Sequence, residues 1–587
     1  MTRQTAFDPV TVQLIWNRLI SIVDEAATGL MRTAYTPSVK EYHDFCCAVF
    51  DRNGSMLAHS TVTTAGFLGI VPEVMRNFLA RHPPDTIAEG DVFITNDPWL
   101  ASGHLIDISL AAPIFYRGEV RGFALCIVHH LDMGGRMSTL ASQNIYEEGL
   151  KIPVLKLYEA GRQNSAIFEF LKANIRVPEK VLGDVRAQLV ANNVCGRGLV
   201  RLLEEYGLDG LEEISAEIIG RTESSLRRKI ATIPSGTYRN GVTLPPIPGC
   251  PDEVRIEVAV TFDGDGVTVD YAGSSGEVGA AVNCTLNMTR SYTAYPFKLA
   301  LDPHVWNNDG GLRPITVLAP EGSILNCRHP AATWGRTMIS HMLPEIMFGA
   351  LEGVMPDLVL GGNGGCPANE VYLHGRRLRD GRAFLSIAQH SGGYGGSAVQ
   401  DGRACLCFPN NTRNIPVEVI ENEAPILHEF KRLLPDSGGP GLHRGGLGQE
   451  VAFRVLDGEK GPEGPVDGVV RLNNRDEAGS FPILGRRGGG PGRGFGLQID
   501  GAPAEHGINR RLAPGTHVHF TLGGGGGYGD PLERPPERVA EDVREGYVSL
   551  EGAASDYGAV LDPVTGGLDT EATAEARRSR VLADRAS

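Results

Sequence analysis

"GHLIDISLAAPIFYRGEVRGFALCIVHHLDMGG", residues 103–135, is the stretch on which the reading of the fold turns. Two apolar runs, "ISLAAPIF" and "GFALCIV", flank Tyr116, Arg117 and Gly118, so the segment reads as a β-hairpin. His104 and Asp107 stand at its start, and His129, His130 and Asp132 at its end. With Gly118 as the third residue of a three-residue loop closed by a Gly bulge, Phe115 pairs with Glu119 and Asp107 falls opposite Ile127. Period-two alternation then puts Asp107 and His129 on one face as diagonal neighbours, with His104 folding over the same end and His130 pointing to the other face. A two-residue loop would exchange His129 and His130. Imidazole plus carboxylate suits Mn²⁺, Zn²⁺ or Fe²⁺. The alternative is that these histidines are hydrogen-bonded loop residues.

Outward from the hairpin, "DPVTVQLIWNRLISIVDEAATGLMRTAY" has apolar residues at helical spacing (Val12, Leu14, Ile15, Leu19, Ile22, Val23). Asp8 before Pro9 is an N-cap with proline in the first turn. "FCCAVFDRNGSMLAHS" reads as two strands around Asn53-Gly54, "VPEVMRNFLARH" as a helix and "DVFITND" as a short strand. Residues 165–232 look mainly helical. From 236 strands dominate: "VRIEVAVTFDGDGVTVDYAG" is a hairpin, and one helical segment, "GRTMISHMLPEIMFGALEGVMP", interrupts. Strands and glycine loops continue to about residue 522, and the tail reads as two short helices and a strand. The expectation is a large, elaborated mixed α/β (α+β) fold, helix-richer early and strand-richer late. Its expected parts are a metal-site region at 1–235, a strand and Gly-loop region at 236–533 and a tail at 534–587, packed on a partner or on the core.

The chain has 587 residues, a net charge of −15 and no long basic run, which argues against a nucleic-acid partner. It has 75 glycines, about one residue in eight, so many loops need backbone that glycine adopts easily. Ten scattered cysteines without a CxxC pair read as reduced cytosolic thiols. The opening "MTRQTAFDPVTVQLIW" lacks a signal pattern, and no apolar stretch reaches the length of a membrane span. The expected location is cytoplasmic. There is no GxxxxGK[ST], HExxH or GxSxG. "GGGGGYGD" (523–530) could cradle a phosphate, but no helix start follows it directly, so it reads as a flexible turn.

"NDPW", "GHLIDISLAAPIF" and "HHLDMGG" together resemble the B-type subunits of the hydantoinase/oxoprolinase family. "IYEEGLKIPVLKL" (145–157), "NTRNIPVEVIE" (411–421), "LLPDSGGPGLHRGGLGQE" (433–450) and "GGGGYGDPLERPPERVAEDVREGYVS" (524–549) extend the resemblance over nearly the whole chain. It implies a hetero-oligomer in which an A-type partner uses ATP to phosphorylate the substrate or bicarbonate. It also implies a metal held by His104, Asp107, His129 and Asp44, the last in "HDFCC", where Cys46 replaces the family's usual Ser. The implied reaction is opening of a cyclic amide (hydantoin, 5-oxoproline or lactam) by metal-activated water, with His130 or Asp132 taking the proton and Glu148 of "YEEGL" a further candidate. Asp132 could instead cap the Gly134–Gly135 turn, and Glu148 could be a solvated helix-surface carboxylate. The alternatives are a subunit of a ketone carboxylase of the acetone or acetophenone type, or a scaffold for the A-type partner.

Overall fold

A computed structural model of the chain describes residues 7–137, 140–244, 247, 250, 253–366, 369–377, 380–457, 466–472 and 482–584. The first six residues of the opening segment lie outside this set. The fold is mixed α/β and divides into two compact units. The first comprises Met1–Gly241, Ile256–Ala350 and Pro409–Arg413, and the second comprises Val242–Arg255, Leu351–Phe408 and Asn414–Ser587. No helix among the described residues is long and apolar enough to cross a membrane.

The first unit starts as its capping signal predicts. Asp8 accepts from the backbone N–H groups of Val10 and Thr11, and the helix runs Pro9–Thr33. It buries Val12, Ile15, Trp16, Leu19, Ile22 and Val23, whereas Leu14 faces solvent. This helix packs along a second long one, Pro178–Tyr206, which lies on the central strands of a sheet. The sheet has seven strands: β1 (Phe45–Asp51), β2 (Met56–His59), β3 (Val92–Thr95), β4 (Asp107–Tyr116), β5 (Glu119–His129), β6 (Leu155–Glu159) and β7 (Arg162–Gln163). Their order is β2-β1-β5-β4-β3-β6-β7, and every pair is antiparallel.

The β4–β5 hairpin corrects the expected loop. Tyr116 pairs with Glu119, so the turn has two residues, Arg117 and Gly118, with φ of 54° and 79° as a type I′ turn requires. A two-residue turn alone would bring His130 onto the face of Asp107. One extra residue prevents this: Phe115 pairs with Val120 but Ile114 with Gly122, so Arg121 is a bulge that restores the parity. Asp107 therefore lies directly opposite His129, not Ile127. His129 thus keeps the expected face, while the register moves by two residues.

After the helix Glu212–Ile230, the hairpin of Arg255–Asp263 and Gly266–Asp270 pairs in parallel with Ile315–Leu318. Between these strands lies a helix that the sequence reading leaves out, Leu286–Leu301; Pro296 inside it lowers its helical signal. The predicted helical segment after 335 forms as Thr337–Ser340 and Leu343–Leu351.

The second unit holds a four-stranded and a five-stranded sheet and the tail helices Pro536–Arg544, Leu550–Tyr557 and Thr570–Asp584. Beside the sheets, glycine segments pack backbone on backbone. Gly523–Gly527, expected as a flexible turn, is buried at the centre. Gly523 and Gly526 bond to Gly393 and Gly396, Gly524 and Gly527 to Arg493 and Gly490, and Gly525 to Gly439 and Gly446. The first two neighbouring segments recur every third residue, the period of a polyproline-II-like chain. A Cβ at any of Gly524–Gly527 would come under 3 Å from the backbone of a neighbouring segment, so only glycine fits there, whereas at Gly523 it would meet the end of the Ile483 side chain.

Candidate metal centre

The register of the hairpin builds the site. Asp107 opens β4, His129 closes β5, and the carboxylate Oδ1 lies 2.8 Å from His129 Nδ1. His104 stands three residues before β4, where Gly103, with φ of 81°, turns the chain back over the strand end. Its Nε2 lies 2.8 Å from Asp107 Oδ2. Asp44, just before β1, accepts the His129 backbone N–H at its own carbonyl, and its Oδ2 is 3.8 Å from His129 Nδ1. The Thr64 hydroxyl donates to its Oδ1 at 2.9 Å. His104, Asp107 and His129 are buried, and their donor atoms lie within 4.8 Å of one another, so the three could hold a metal ion; Asp44 stands beside this trio.

Charge favours that use. Burial, with the Arg336 guanidinium next in strength, pushes His104 down to about 3, so the imidazole is neutral. Burial alone would raise Asp107, but the two histidines hold it well below the usual carboxylate range. Burial raises Asp44 to about 6, against the pull of His129. A neutral His104 imidazole beside an ionised Asp107 carboxylate is the pairing of protonation states that a cation takes. Although Asp107 Oδ2 is so near, His104 Nε2 makes no aligned hydrogen bond among the described residues. That geometry suits two groups turned toward a shared ligand, and the donor set fits a divalent ion.

The candidate proton carriers separate. His130 turns away, into the helix Pro178–Tyr206. Gln188 spends its amide N–H groups on the carbonyls of Ile108 and Cys126. Its Oε1 must therefore accept from His130 Nε2, at 3.1 Å. His130 Nδ1 has no partner among the described residues. Asp132 has both oxygens engaged: Oδ1 accepts from Gly134 N–H and Arg176 Nη1, and Oδ2 from Arg176 N–H. Glu148 is buried rather than on a helix surface. Its Oε1 accepts the backbone N–H groups of Thr333 and Trp334 at 2.9 Å, and its Oε2 has no partner among the described residues. Burial, only partly offset by these two bonds, lifts its carboxyl to about 7.

Sequence reasoning missed Arg336. Its guanidinium donates from Nη1 to His104 Nδ1 at 2.6 Å, from Nη2 to Asp107 Oδ2 at 3.3 Å and from Nε to the Ser102 carbonyl at 2.8 Å. It lies 229 residues from Asp107, and no local pattern marks it.

Known proteins resemble this chain over nearly its whole length. The family model for hydantoinase B/oxoprolinase matches residues 8–531. A chain of Pseudomonas sp. (strain NS671), named as the B-type component of a D-/L-hydantoinase, is 30% identical, over 97% of this chain and 98% of that one. The crystal structure of ATP-dependent caprolactamase from Pseudomonas jessenii superposes with a TM-score of 0.86 and 27% identity, over 98% of this chain and 100% of that one. A nucleotide-free acetone carboxylase chain shares the fold, with a TM-score of 0.86 at 20% identity over 98% of this chain and 83% of its own. The chain belongs to the hydantoinase B/oxoprolinase family.

Proposed function

We propose that this chain is the B-type subunit of an ATP-dependent cyclic-amide hydrolase, acting on a hydantoin, 5-oxoproline or lactam ring together with an A-type partner. The observation that carries the reading is the buried His104–Asp107–His129 trio, with the neutral-pH carboxyl of Glu148 bound to the segment that carries Arg336. The similarity to a caprolactamase and to a hydantoinase component supports the substrate class. A resonance-stabilised amide resists water, and phosphorylation of its oxygen by the partner makes the ring carbon a far better electrophile.

His104, Asp107 and His129, with Asp44 as a fourth, would hold Mn²⁺, Zn²⁺ or Fe²⁺. Such an ion supplies Lewis acidity that lowers the pKa of water and polarises a substrate oxygen. Asp107 keeps the site anionic and orients both imidazoles. Glu148 takes the proton of the attacking water at Oε2, since its affinity for protons lies near neutrality. Asp132, tied to Arg176, locks the Gly134 turn after β5, and His130 braces β5 against the helix through Gln188.

The test is to purify the chain with a candidate A-type partner and assay ring opening of hydantoins, 5-oxoproline and caprolactam. Turnover should need both chains and ATP, and should vanish with the metal in His104→Ala/Asp107→Ala. Ring opening by the isolated chain without ATP, or a stoichiometric metal that survives the double substitution, would overturn the reading.

A further inference from the structure

Arg336 sits among buried polar atoms that the chain itself does not use. Ser102 Oγ, Thr333 Oγ1 and Glu148 Oε2 all lack a hydrogen-bond partner among the described residues. Each lies on a segment tied to Arg336 directly or through Thr333. Arg336 Nε holds the Ser102 carbonyl, the Arg336 backbone N–H bonds to the Thr333 carbonyl at 3.0 Å, and Glu148 accepts the Thr333 N–H. Buried polar groups left unpaired are costly, and several around one cation mark a place for a polar ligand. Arg336 also has five N–H groups, of which three are engaged among the described residues. Two hydroxyls and two uncommitted guanidinium hydrogens would together make a donor-rich wall. Its complement is a compact anion with several acceptor oxygens.

The contact to His104 adds a second consequence. His104 Nδ1 faces the Arg336 guanidinium at 2.6 Å and the Trp334 carbonyl at 3.4 Å. The shorter contact sets the tautomer, and because a guanidinium only donates, Nδ1 accepts and the proton of the neutral ring lies on Nε2, the nitrogen beside Asp107. A ring in that tautomer has no lone pair at Nε2 for a cation. The Arg336–His104 contact and metal ligation by His104 Nε2 therefore exclude one another. We infer that Arg336, with the hydroxyls of Ser102 and Thr333, receives the phosphoryl group of the activated substrate, and that by leaving His104 to do so it opens that imidazole to the metal. This rests on the ATP-dependent reading above. Anion and metal binding are then positively coupled, and linkage makes the coupling reciprocal.

The experiment measures Mn²⁺ affinity of the full chain by calorimetry, with and without inorganic phosphate, and with acetate as a second arm. Phosphate should tighten Mn²⁺ about tenfold, and acetate less than about twofold. In Arg336→Met, Mn²⁺ should bind at least as tightly without phosphate, and the phosphate effect should fall below about twofold. Ser102→Ala/Thr333→Val tests the same wall without touching the arginine. It should cut the phosphate effect at least about threefold and leave the phosphate-free Mn²⁺ affinity within about twofold. A phosphate effect that persists in Arg336→Met, or acetate acting as strongly as phosphate, would overturn the inference. Wild-type Mn²⁺ binding that ignores phosphate would also overturn it, and would leave the hydrolase reading to its own ring-opening assay. A wild-type chain that binds none of Mn²⁺, Zn²⁺ and Fe²⁺ would overturn both.

Discussion

At the closed end of the β4–β5 hairpin, Gly118 has a φ of 79°, and a methyl group there would meet nothing within 4 Å. In the glycine bundle of the second unit, Gly525 is not in the left-handed region, yet a methyl there would strike the Tyr394 carbonyl. One glycine is needed for its backbone angle and the other for its missing side chain. The difference extends to the regions around them. The open end of the hairpin is defined by which side chains converge, and the bundle by side chains that must not exist. A count of 75 glycines cannot distinguish the two uses.

The strongest way to break this comparison is to add one methyl group at each site. Gly525→Ala forces backbone apart between packed segments and should cost at least about 3 kcal/mol. Thermal unfolding should then fall by about 6–12 °C for a unit of this size. Gly118→Ala should cost about 1 kcal/mol, the strain of a left-handed alanine. Gly353→Ala, in the second unit with open space around it and no positive φ, should be near neutral. If Gly525→Ala melts with Gly353→Ala, the close packing of the bundle is wrong.

The next test concerns side chains. His129→Ala should weaken metal binding about a hundredfold or more, because one of three or four ligands is lost. His130→Ala should keep the metal within about tenfold, since its ring faces Gln188. Metal content after dialysis reads both. An empty His130→Ala site beside a loaded His129→Ala site would mean that the bulge at Arg121 does not set the faces.

That bulge shows where sequence reading reached and where it stopped. The alternation of "IDISLAAPIF" and "GFALCIVHH" is local, and it carried Asp107 and His129 to one face. Loop length and bulge are coupled, so an error in the first was cancelled by the second, which no residue type announces. The Asp8–Pro9 helix start was legible because a cap and its helix are neighbours. Leu286–Leu301 was hidden by Pro296, whose cost the tertiary packing overrides. Glu148 looked like a surface carboxylate because its partners, Thr333 and Trp334, lie 185 and 186 residues away. Arg336 had no local signal. The "GGGGGYGD" run was visible, but its meaning depends on other glycine segments that only the fold assembles.

A smaller effect follows from Glu148. Its carboxyl is raised from 4.5 to about 7 by burial, so the folded chain binds more protons than the unfolded chain between those values. The sign is that stability contributed by the protonated form is complete below pH about 4.5 and is lost as pH rises toward about 7. The loss is about 2–3 kcal/mol across that window. Glu148→Gln, which keeps the shape and cannot ionise, should flatten this slope. Chemical denaturation at pH 5 and pH 7.5 for both chains measures the difference. Equal slopes would mean that the Glu148 environment is wetter than its burial indicates.

The smallest expected effect returns to the turn. Arg117 holds a φ of 54°, which a long side chain adopts at a cost and asparagine adopts readily. Asn-Gly is the favoured pair for a type I′ turn, so Arg117→Asn should ease the closed end of the hairpin. The substitution gives up an ion pair with Asp209, whose partners are 63% and 80% exposed and which therefore contributes little. It also loses the guanidinium stacked 4.9 Å from the Tyr116 ring centre. The net should be a gain of no more than about 0.5 kcal/mol, with metal binding unchanged because the open end is fixed by pairing of β5 with β1. A three-residue loop would place Arg117 at a position with no special need for asparagine. A loss above about 1 kcal/mol, or altered metal affinity, would therefore argue against the two-residue turn and against the bulge that compensates for it.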